Sequence, residues 1–220
     1  WILDNIKCPK TLDYTQRDVR VKDLINKELV LFSIADNIRS IPSLVDGLKP
    51  SQRKIIYSCI KRNLYSEIKV SQLAGYVSEV SSYHHGEASL QDTIIGLSQT
   101  FVGSNNMNLL EPVGQFGTRL LGGKDSSSPR YIFTHLSKSF KNIFNPDDFN
   151  ILNYLDEDGF SIEPSFYVPT LPLILINGAC GIGTGFSTDI PCFNPNDLKN
   201  RLLKLVVDPD ADIEELTPWY

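Results

Sequence analysis

Tyr131 is the first residue whose type and setting suggest chemistry. It follows Arg130 at the end of residues 122–129, a glycine- and serine-rich stretch that we expect to be flexible, and it begins the run Tyr131-Ile-Phe133. A phenol ordinarily has a pKa of about 10, so attack at neutral pH requires a base or a positive charge nearby. An arginine also holds charge that builds up on phosphoryl oxygens. The pattern indicates a nucleophile acting on phosphate, but an ordinary β-strand would give the same letters.

Two adjacent histidines, His84 and His85, precede a glycine. An imidazole with a pKa of about 6.5 can move protons or bind a phosphate. Metal binding is the alternative, but neighbouring side chains on an extended backbone point to opposite sides, and no Cys or carboxylate stands at zinc-like spacing. We therefore expect no metal ligands in this chain and a structural role for one of the two histidines.

The segment from Gly178 to Gly185 is rich in glycine. It lacks the Lys-Ser/Thr of a P-loop and the spacing of a dinucleotide-binding fingerprint. Its glycines instead permit a close approach to another surface. Ile182 stands among them and, if it is exposed at the tip of the loop, is suited to act as an apolar wedge between DNA base steps. The alternative is that Ile182 packs beneath its own loop.

Charge is distributed unevenly along the 220 residues. The net charge is −5, yet residues 39–69 hold seven Lys/Arg against two Asp/Glu, whereas residues 145–220 hold three against thirteen. A concentrated cationic segment can supply a phosphate-binding field within an acidic protein. A solvated basic helix face would show the same composition.

Composition narrows the class of protein. The chain is 41% hydrophobic and 10% aromatic, which is enough for a folded core. Its longest apolar stretch, residues 173–176, falls far short of the ~20 residues that span a bilayer. The cysteines show no CxxC spacing and the sequence opens without a secretory leader, so we expect an intracellular protein with free thiols and no membrane partner.

Apolar periodicity predicts helices in the first half of the chain. One starts at Val21 and ends before Ser40; a second starts near Pro50; a third has Ser71 as its N-cap; a fourth runs from Glu87 to Phe101. The second helix should bury its apolar face, and four cations are expected on the opposite face: Arg53, Lys54, Lys61 and Arg62.

The order of elements predicts an α+β fold. Two of these helices and a turn form a helix-turn-helix, and residues 108–136 have the glycines and apolar pairs of a β wing, so a winged-helix domain is expected. We predict an extended linker over residues 1–20, the winged-helix domain over 21–150, and the beginning of a mixed α/β tower domain over 151–220. A buried strand is expected at 173–176.

Ordered motifs resemble those of one family, the breakage–reunion region of type IIA DNA topoisomerases, and the eukaryotic type (DNA topoisomerase II) more than bacterial gyrase. The motifs are Ser40-Ile-Pro-Ser-Leu-Val-Asp-Gly-Leu-Lys-Pro-Ser-Gln-Arg-Lys54, Tyr83-His-His-Gly-Glu87, Phe101-Val-Gly-Ser-Asn-Asn106, Gly114-Gln-Phe-Gly-Thr-Arg119, Gly122-Gly-Lys-Asp125, Pro129-Arg-Tyr-Ile-Phe-Thr134 and Ile176-Asn-Gly-Ala179 with Gly181-Ile-Gly-Thr-Gly185.

The resemblance implies roles for individual residues. Tyr131 matches the nucleophile that joins to a DNA 5′-phosphate, Arg130 the arginine that supports the transition state, and His85 the histidine near the scissile phosphate. Arg39 and Lys49 match cations that grip the cleaved strand, and Ile182 matches the isoleucine that bends the duplex. Arg53 and Lys54, from the same basic segment, are also expected to bind DNA.

The resemblance also implies cofactors and partners. The substrate is double-stranded DNA, the complete enzyme is a homodimer, and Mg²⁺ and ATP bind to parts outside this chain. We therefore expect the isolated chain to cleave poorly. Localisation would be the nucleus, or infected-cell cytoplasm for a protein of a large DNA virus.

Three other functions fit some of the same residues. A tyrosine recombinase or type IB topoisomerase also gathers Arg, His, Lys and Tyr around a phosphate, but it attaches to a 3′ end. A winged-helix module without chemistry would bind DNA only. A structural dimerisation piece would show no salt-dependent affinity for DNA.

Overall fold

The computed structural model describes residues 1–7, 9–212 and 214–219. Near the start, α1 (Ile2–Ile6) packs beside α3 (Val30–Ser40) and buries Ile2. The extended conformation predicted for residues 1–20 is therefore wrong over α1, because one apolar turn is too short to show a helical period. The role of residues 1–20 as a linker stays a prediction.

The helix predicted from Val21 is present and ends at Ser40, as the following Ile-Pro sequence predicts. It consists of α2 (Val21–Asp23), a π-helical segment (Leu24–Leu29) and α3. Its apolar stripe does not enter the core: five side chains are 40 to 71% exposed, namely Val21, Leu24, Ile25, Leu29 and Phe32. Periodicity therefore predicted the helix correctly but not the face that it buries. In α3 the buried residues are Val30 and Ser33.

A helix-turn-helix unit is formed by α4 (Pro50–Lys61), α5 (Val70–Val80) and α6 (Glu87–Ser98). Their buried positions follow the predicted stripes: Ile55, Ile56, Cys59, Leu73, Ala74, Val77, Leu90, Ile94 and Leu97. Burial raises the pKa of the Cys59 thiol to about 12, so this side chain packs as a neutral group. Ser71 is not an N-cap, because α5 begins at Val70, directly after strand β1 (Ile68–Lys69).

A three-stranded antiparallel sheet forms the predicted wing. Strands β2 (Leu110–Val113) and β3 (Phe133–Leu136) pair over their whole lengths, and β3 also pairs with β1, so the order is β1-β3-β2. The loop between β2 and β3 contains a short 3₁₀ helix, Arg119–Leu121. Sheet and helices together make the winged-helix arrangement and confirm the α+β class.

The second half of the chain contains two hairpins between short helices. Its elements are α7 (Phe140–Ile143), a 3₁₀ helix (Pro146–Asn150), β4 (Tyr154–Glu157), β5 (Phe160–Pro164), α8 (Leu173–Ile176), β6 (Ala179–Ile182), β7 (Ser187–Ile190) and α9 (Pro195–Val207). The strand predicted at 173–176 is wrong, because these residues form α8. A buried apolar run of four residues carries no period that separates strand from helix.

One hydrophobic core joins the two halves of the chain. Phe140 and Phe144 stack at 5.1 Å between ring centroids, Tyr167 lies 5.4 Å from Phe144, and all three belong to the cluster that contains the helix-turn-helix residues. The boundary at residue 150 stays a prediction. Within the described residues, no helix has the length and apolarity needed to cross a membrane.

Candidate nucleic-acid interface

A cavity of about 760 Å³ opens between α3, α4 and the turn before α6. Five of the residues singled out in the sequence line it: Arg39, Lys49, Lys54, His84 and His85. Arg39 lies in the last turn of α3, and Lys49 is the residue before α4. Residues separated by more than forty positions therefore meet at one basic surface.

Two helix N-termini face this cavity, and sequence reasoning did not single them out. Ser51 lies in the first turn of α4 and Ser89 in that of α6, and both line the cavity. No side chain caps α6, so its first N–H groups are open to an anion. Pro50, the first residue of α4, and Gly86, the residue before α6, are the features of the sequence that could have indicated these helix N-termini.

A second cavity of about 420 Å³ shares Lys49, Ser51 and Ser89 with the first and extends to Cys180 on β6. The two cavities together form what we call the basic groove, which leads from the His84–His85 turn to the β6–β7 hairpin. Its cations Arg39 and Lys49 and its two helix N-termini suit a chain of phosphates, although Asp36, Asp92 and Glu157 also line it.

Arg53 is buried in this structure and is not presented to DNA, contrary to the exposed position that the sequence predicts. Its side chain is 8% exposed; Nε donates to the Asp46 carboxylate at 2.8 Å and Nη2 to the Leu48 carbonyl at 2.7 Å. Asp46 also accepts from the backbone N–H groups of Leu48 and Tyr167. A buried charge is tolerated only when it is paired, and here Asp46 supplies the pairing charge. The bonds from Arg53 to Asp46 and Leu48 therefore hold the turn before α4 in place.

Lys54 is likewise engaged inside the protein. It lines the first cavity, yet its side chain is only 14% exposed and its ammonium donates to Glu163 at 2.9 Å and to the Ser81 carbonyl. Glu163 lies 109 residues further along the chain. The basic face predicted for α4 is therefore wrong at Arg53 and Lys54, whereas Lys61 and Arg62 are exposed.

The Tyr131 side chain is 75% exposed, and Arg130 beside it is also exposed. The Tyr131 N–H donates to Ser128 O at 2.9 Å, and Ile132, the next residue, is buried. The interpretation of Tyr131 as a packed strand residue is therefore wrong: the phenol lies in solvent two residues before β3. Tyr131 and Arg130 do not line the basic groove.

The loop before Tyr131 is held by specific bonds, contrary to the flexibility expected of its sequence. The Thr118 N–H and hydroxyl both donate to Asp125 at 2.8 Å, and these bonds hold the pKa of Asp125 below its usual value. Gln99 donates to the Phe116 carbonyl at 2.9 Å. A Cβ at Gly117 would lie 2.6 Å from the Gly123 backbone, so glycine permits the close approach.

Ile182 ends β6, at the tip of a hairpin that packs on the end of α3. A Cβ at Gly181 would collide with the Ser40 carbonyl oxygen, and Asn37 donates to Thr184 O at 3.0 Å. The glycines therefore serve close packing, as expected, and the partner is α3. The Ile182 side chain is 78% exposed, so its packing beneath the loop is excluded.

The two histidines have different contacts. His84 Nε2 lies 2.8 Å from Glu157 Oε1, whereas the His85 ring meets Tyr83 edge-on at 5.4 Å between centroids. Within residues 1–7, 9–212 and 214–219, no group of three or more His, Cys, Asp and Glu side chains is placed to hold a metal ion.

The winged-helix fold, the basic groove and the exposed tyrosine are typical of one class: DNA-binding proteins of the winged-helix type with an exposed tyrosine beside the wing. Residues 39–220 match the family described as the A subunit of DNA gyrase/topoisomerase IV, and the chain belongs to this family. The resemblance drawn from the motifs is thereby confirmed.

Named relatives agree with this assignment. The chain is 56% identical to DNA topoisomerase 2 of Candida albicans over 209 residues and 53% identical to "DNA topoisomerase 2, mitochondrial" of Dictyostelium discoideum, with 95% of this chain covered in each case. It spans 14% and 16% of those proteins.

A solved structure is similar over nearly the whole chain. The topoisomerase II DNA-binding, cleavage and re-ligation domain of Plasmodium falciparum matches with a TM-score of 0.86 and 52% identity, over 96% of this chain and 29% of that one.

Proposed function

We propose that this chain is the DNA-cleavage and religation region of an ATP-dependent type II DNA topoisomerase, and that Tyr131 is its nucleophile. The exposed phenol beside the exposed Arg130, immediately before β3, carries this proposal. The family match favours it over a tyrosine recombinase and over a module without chemistry. Residues 21–150 would be the winged-helix gate, and residues 151–220 the start of the tower.

The proposed reaction is one reversible exchange at phosphorus. The Tyr131 phenol gives up its proton, a bond forms between its oxygen and phosphorus, and the bond to the 3′-oxygen breaks. The 3′-oxygen leaves as a hydroxyl after taking up a proton, and the 5′-phosphate remains on the tyrosine. Arg130 offsets the charge on the phosphoryl oxygens. Religation is the same step reversed, so it needs no oxidant or nucleotide.

The basic groove is proposed to grip the duplex. Arg39 and Lys49 would contact phosphates, and His85 would bind the scissile phosphate or move a proton there. Ile182 would bend the duplex by entering a base step. A homodimer with two-fold symmetry would cut both strands.

Mg²⁺ and ATP are proposed as cofactors of the complete enzyme. The described residues do not fit a metal site, since they bring no cluster of carboxylates together. No step of this mechanism is therefore assigned to a metal. Given the relatives, nuclear localisation is proposed, with a mitochondrial form as a precedent in Dictyostelium.

The proposal is tested with Tyr131→Phe in the complete enzyme, because phenylalanine keeps the ring and removes the attacking oxygen. Tyr14→Phe is the matched control, since Tyr14 is also 75% exposed. Supercoiled DNA is added with Mg²⁺, the reaction is stopped with detergent, and the adduct is digested for mass spectrometry. We expect a 5′-phosphotyrosyl peptide in the wild type and in Tyr14→Phe and none in Tyr131→Phe.

Two results would contradict the proposal. An adduct that persists in Tyr131→Phe would show that another residue is the nucleophile. A tyrosyl bond to a 3′ end would instead support the recombinase or type IB alternative.

A further inference from the structure

A hairpin from the acidic half of the chain contacts the turn that carries His85. Strand β5 packs against α4, where the Tyr57 hydroxyl donates to the Ser161 carbonyl at 3.0 Å. From this hairpin, Glu163 and Glu157 reach toward residues 81–86, the turn between α5 and α6. Neither carboxylate has a role in the mechanism above.

The first anchor holds the beginning of the turn. The Lys54 ammonium bonds both the Glu163 carboxylate and the carbonyl of Ser81, a residue with no exposed surface. Ser82 follows with a φ of 49°, a left-handed conformation that is uncommon for a residue other than glycine. Such a conformation persists only where its surroundings hold it, and the bond to the preceding carbonyl supplies such a constraint.

The second anchor holds the middle of the turn. Glu157 bonds His84 Nε2 at 2.8 Å, although the histidine side chain is 73% exposed. Tyr83 and His85 contact each other, so their side chains share one side of the turn, and the bond to Glu157 engages the residue between them. Gly86 follows, and nothing lies within 4 Å of the place where its Cβ would be. Beyond His84, the turn is therefore open to solvent.

We propose that Glu157, acting through His84, is a positioning residue for His85. The bond fixes the His84 ring and thereby restricts the peptide that joins His84 to His85, so the His85 imidazole is presented to the basic groove in one orientation. His84 itself is then a spacer held by Glu157 and is not a catalytic residue. This inference rests on the proposed function, because Glu157 and His84 can position His85 for DNA cleavage only if His85 acts in that reaction.

A purely structural contact would behave differently from a positioning contact. Exposed polar pairs contribute little to folding, so loss of the Glu157–His84 bond should leave the thermal midpoint unchanged. Misplacement of a reacting group by about 1 Å can cost ~100-fold in rate. The rate of cleavage, with stability and DNA affinity measured in parallel, therefore separates the two roles.

The experiment uses the complete enzyme and measures single-turnover formation of the covalent DNA complex. At saturating DNA, we expect Glu157→Ala and His84→Ala each to slow it about tenfold or more, with an unchanged thermal midpoint. The double variant should be no slower than either single one. His84→Gln should restore most of the rate, because its amide N–H can donate to Glu157 in place of Nε2. Glu67→Ala, at an exposed acid outside the groove, is the control.

A second background identifies the residue through which Glu157 acts. In His85→Ala, the substitution Glu157→Ala should cause no further loss. A wild-type rate in Glu157→Ala, an equal loss in the His85→Ala background, or a parallel drop in thermal midpoint would each overturn the inference. Tyr131→Phe is measured alongside: if that variant still forms the adduct, the proposed function has failed, whereas unaffected Glu157 variants with an inactive Tyr131→Phe refute only the positioning role.

Discussion

Three arginines of this chain show how the surroundings of a residue decide its role. Arg53 is buried against Asp46, Arg39 opens onto the basic groove, and Arg130 stands in solvent beside Tyr131. The sequence predicts where cations occur, but the partner that removes Arg53 from the surface is a matter of tertiary structure. The buried Asp46, which accepts bonds from Leu48 and Tyr167 as well, determines that outcome.

The contrast between Arg53 and Arg39 is open to experiment. Arg53→Ala should lower the free energy of unfolding by about 3–5 kcal/mol, because it leaves the Asp46 carboxylate buried without its cation. Arg39→Ala removes an exposed side chain and should change stability by less than about 0.5 kcal/mol. Urea unfolding measures both values, and duplex binding followed by fluorescence anisotropy should be weakened in Arg39→Ala. Equal unfolding midpoints for the two variants would contradict this account of Arg53.

At the scale of elements, the β6–β7 hairpin shows what glycine contributes. The sequence indicated that the backbone at 178–185 approaches another surface, and the structure identifies that surface as the end of α3. Thr184 Oγ1 also donates to Asp36 at 2.8 Å, so the hairpin is fixed on both sides of Gly183. Ile182 is thereby presented to solvent by a rigid support.

Removal of this close packing should destabilise the protein. A methyl group at Gly181 would meet the Ser40 carbonyl oxygen, which belongs to the backbone and cannot move aside easily. Gly181→Ala should therefore cost about 1–3 kcal/mol by overpacking. Gly75→Ala, within α5 and with nothing nearby, should be neutral or stabilising by up to ~1 kcal/mol. Thermal unfolding distinguishes the two, and a Gly181→Ala variant as stable as Gly75→Ala would refute the packing argument.

Elements with a long repeated pattern could be predicted, and short ones could not. Helices α4, α5 and α6 each have buried residues over two or three turns, so the helical repeat of apolar residues can be recognised in the sequence. The four residues of α8 and the five of α1 contain little more than one helical turn, which is too short to show a repeat, and both were misassigned. For the candidate site, motifs single out Tyr131 and His85, whose roles stay predictions, whereas the contact of Glu157 could not be predicted because it joins residues 73 positions apart.

At the scale of the whole molecule, the uneven charge of the sequence is partly balanced by folding. Glu163, from the acidic second half, forms an ion pair with Lys54 beside the basic groove, and Glu157 bonds to His84 there. Arg39 and Lys49 have no ion-pair partner among the residues that the structure describes. The cations left for phosphate are therefore fewer than composition suggests, and they lie together.

Salt dependence tests how many of these cations contact DNA. Each phosphate contact contributes about −0.9 to the slope of log affinity against log salt for duplex DNA. Lys49→Ala should make that slope shallower by about 1 and weaken binding alike for different sequences. Lys199→Ala, at an exposed lysine of α9, should leave the slope unchanged. A slope that does not change in Lys49→Ala would place the phosphates elsewhere.

The strand that follows Tyr131 has a mechanical consequence. Because β3 is the central strand, flanked by β1 on one side and β2 on the other, it is paired on both edges at Phe133 and Thr134 and with β2 alone at His135 and Leu136. A force on a group bonded to the Tyr131 oxygen would be passed to this strand. If the force acts along the strand, the hydrogen bonds to β1 and to β2 are loaded in shear and resist it together. An attachment point on an outer strand would have only one row of bonds to bear the same force.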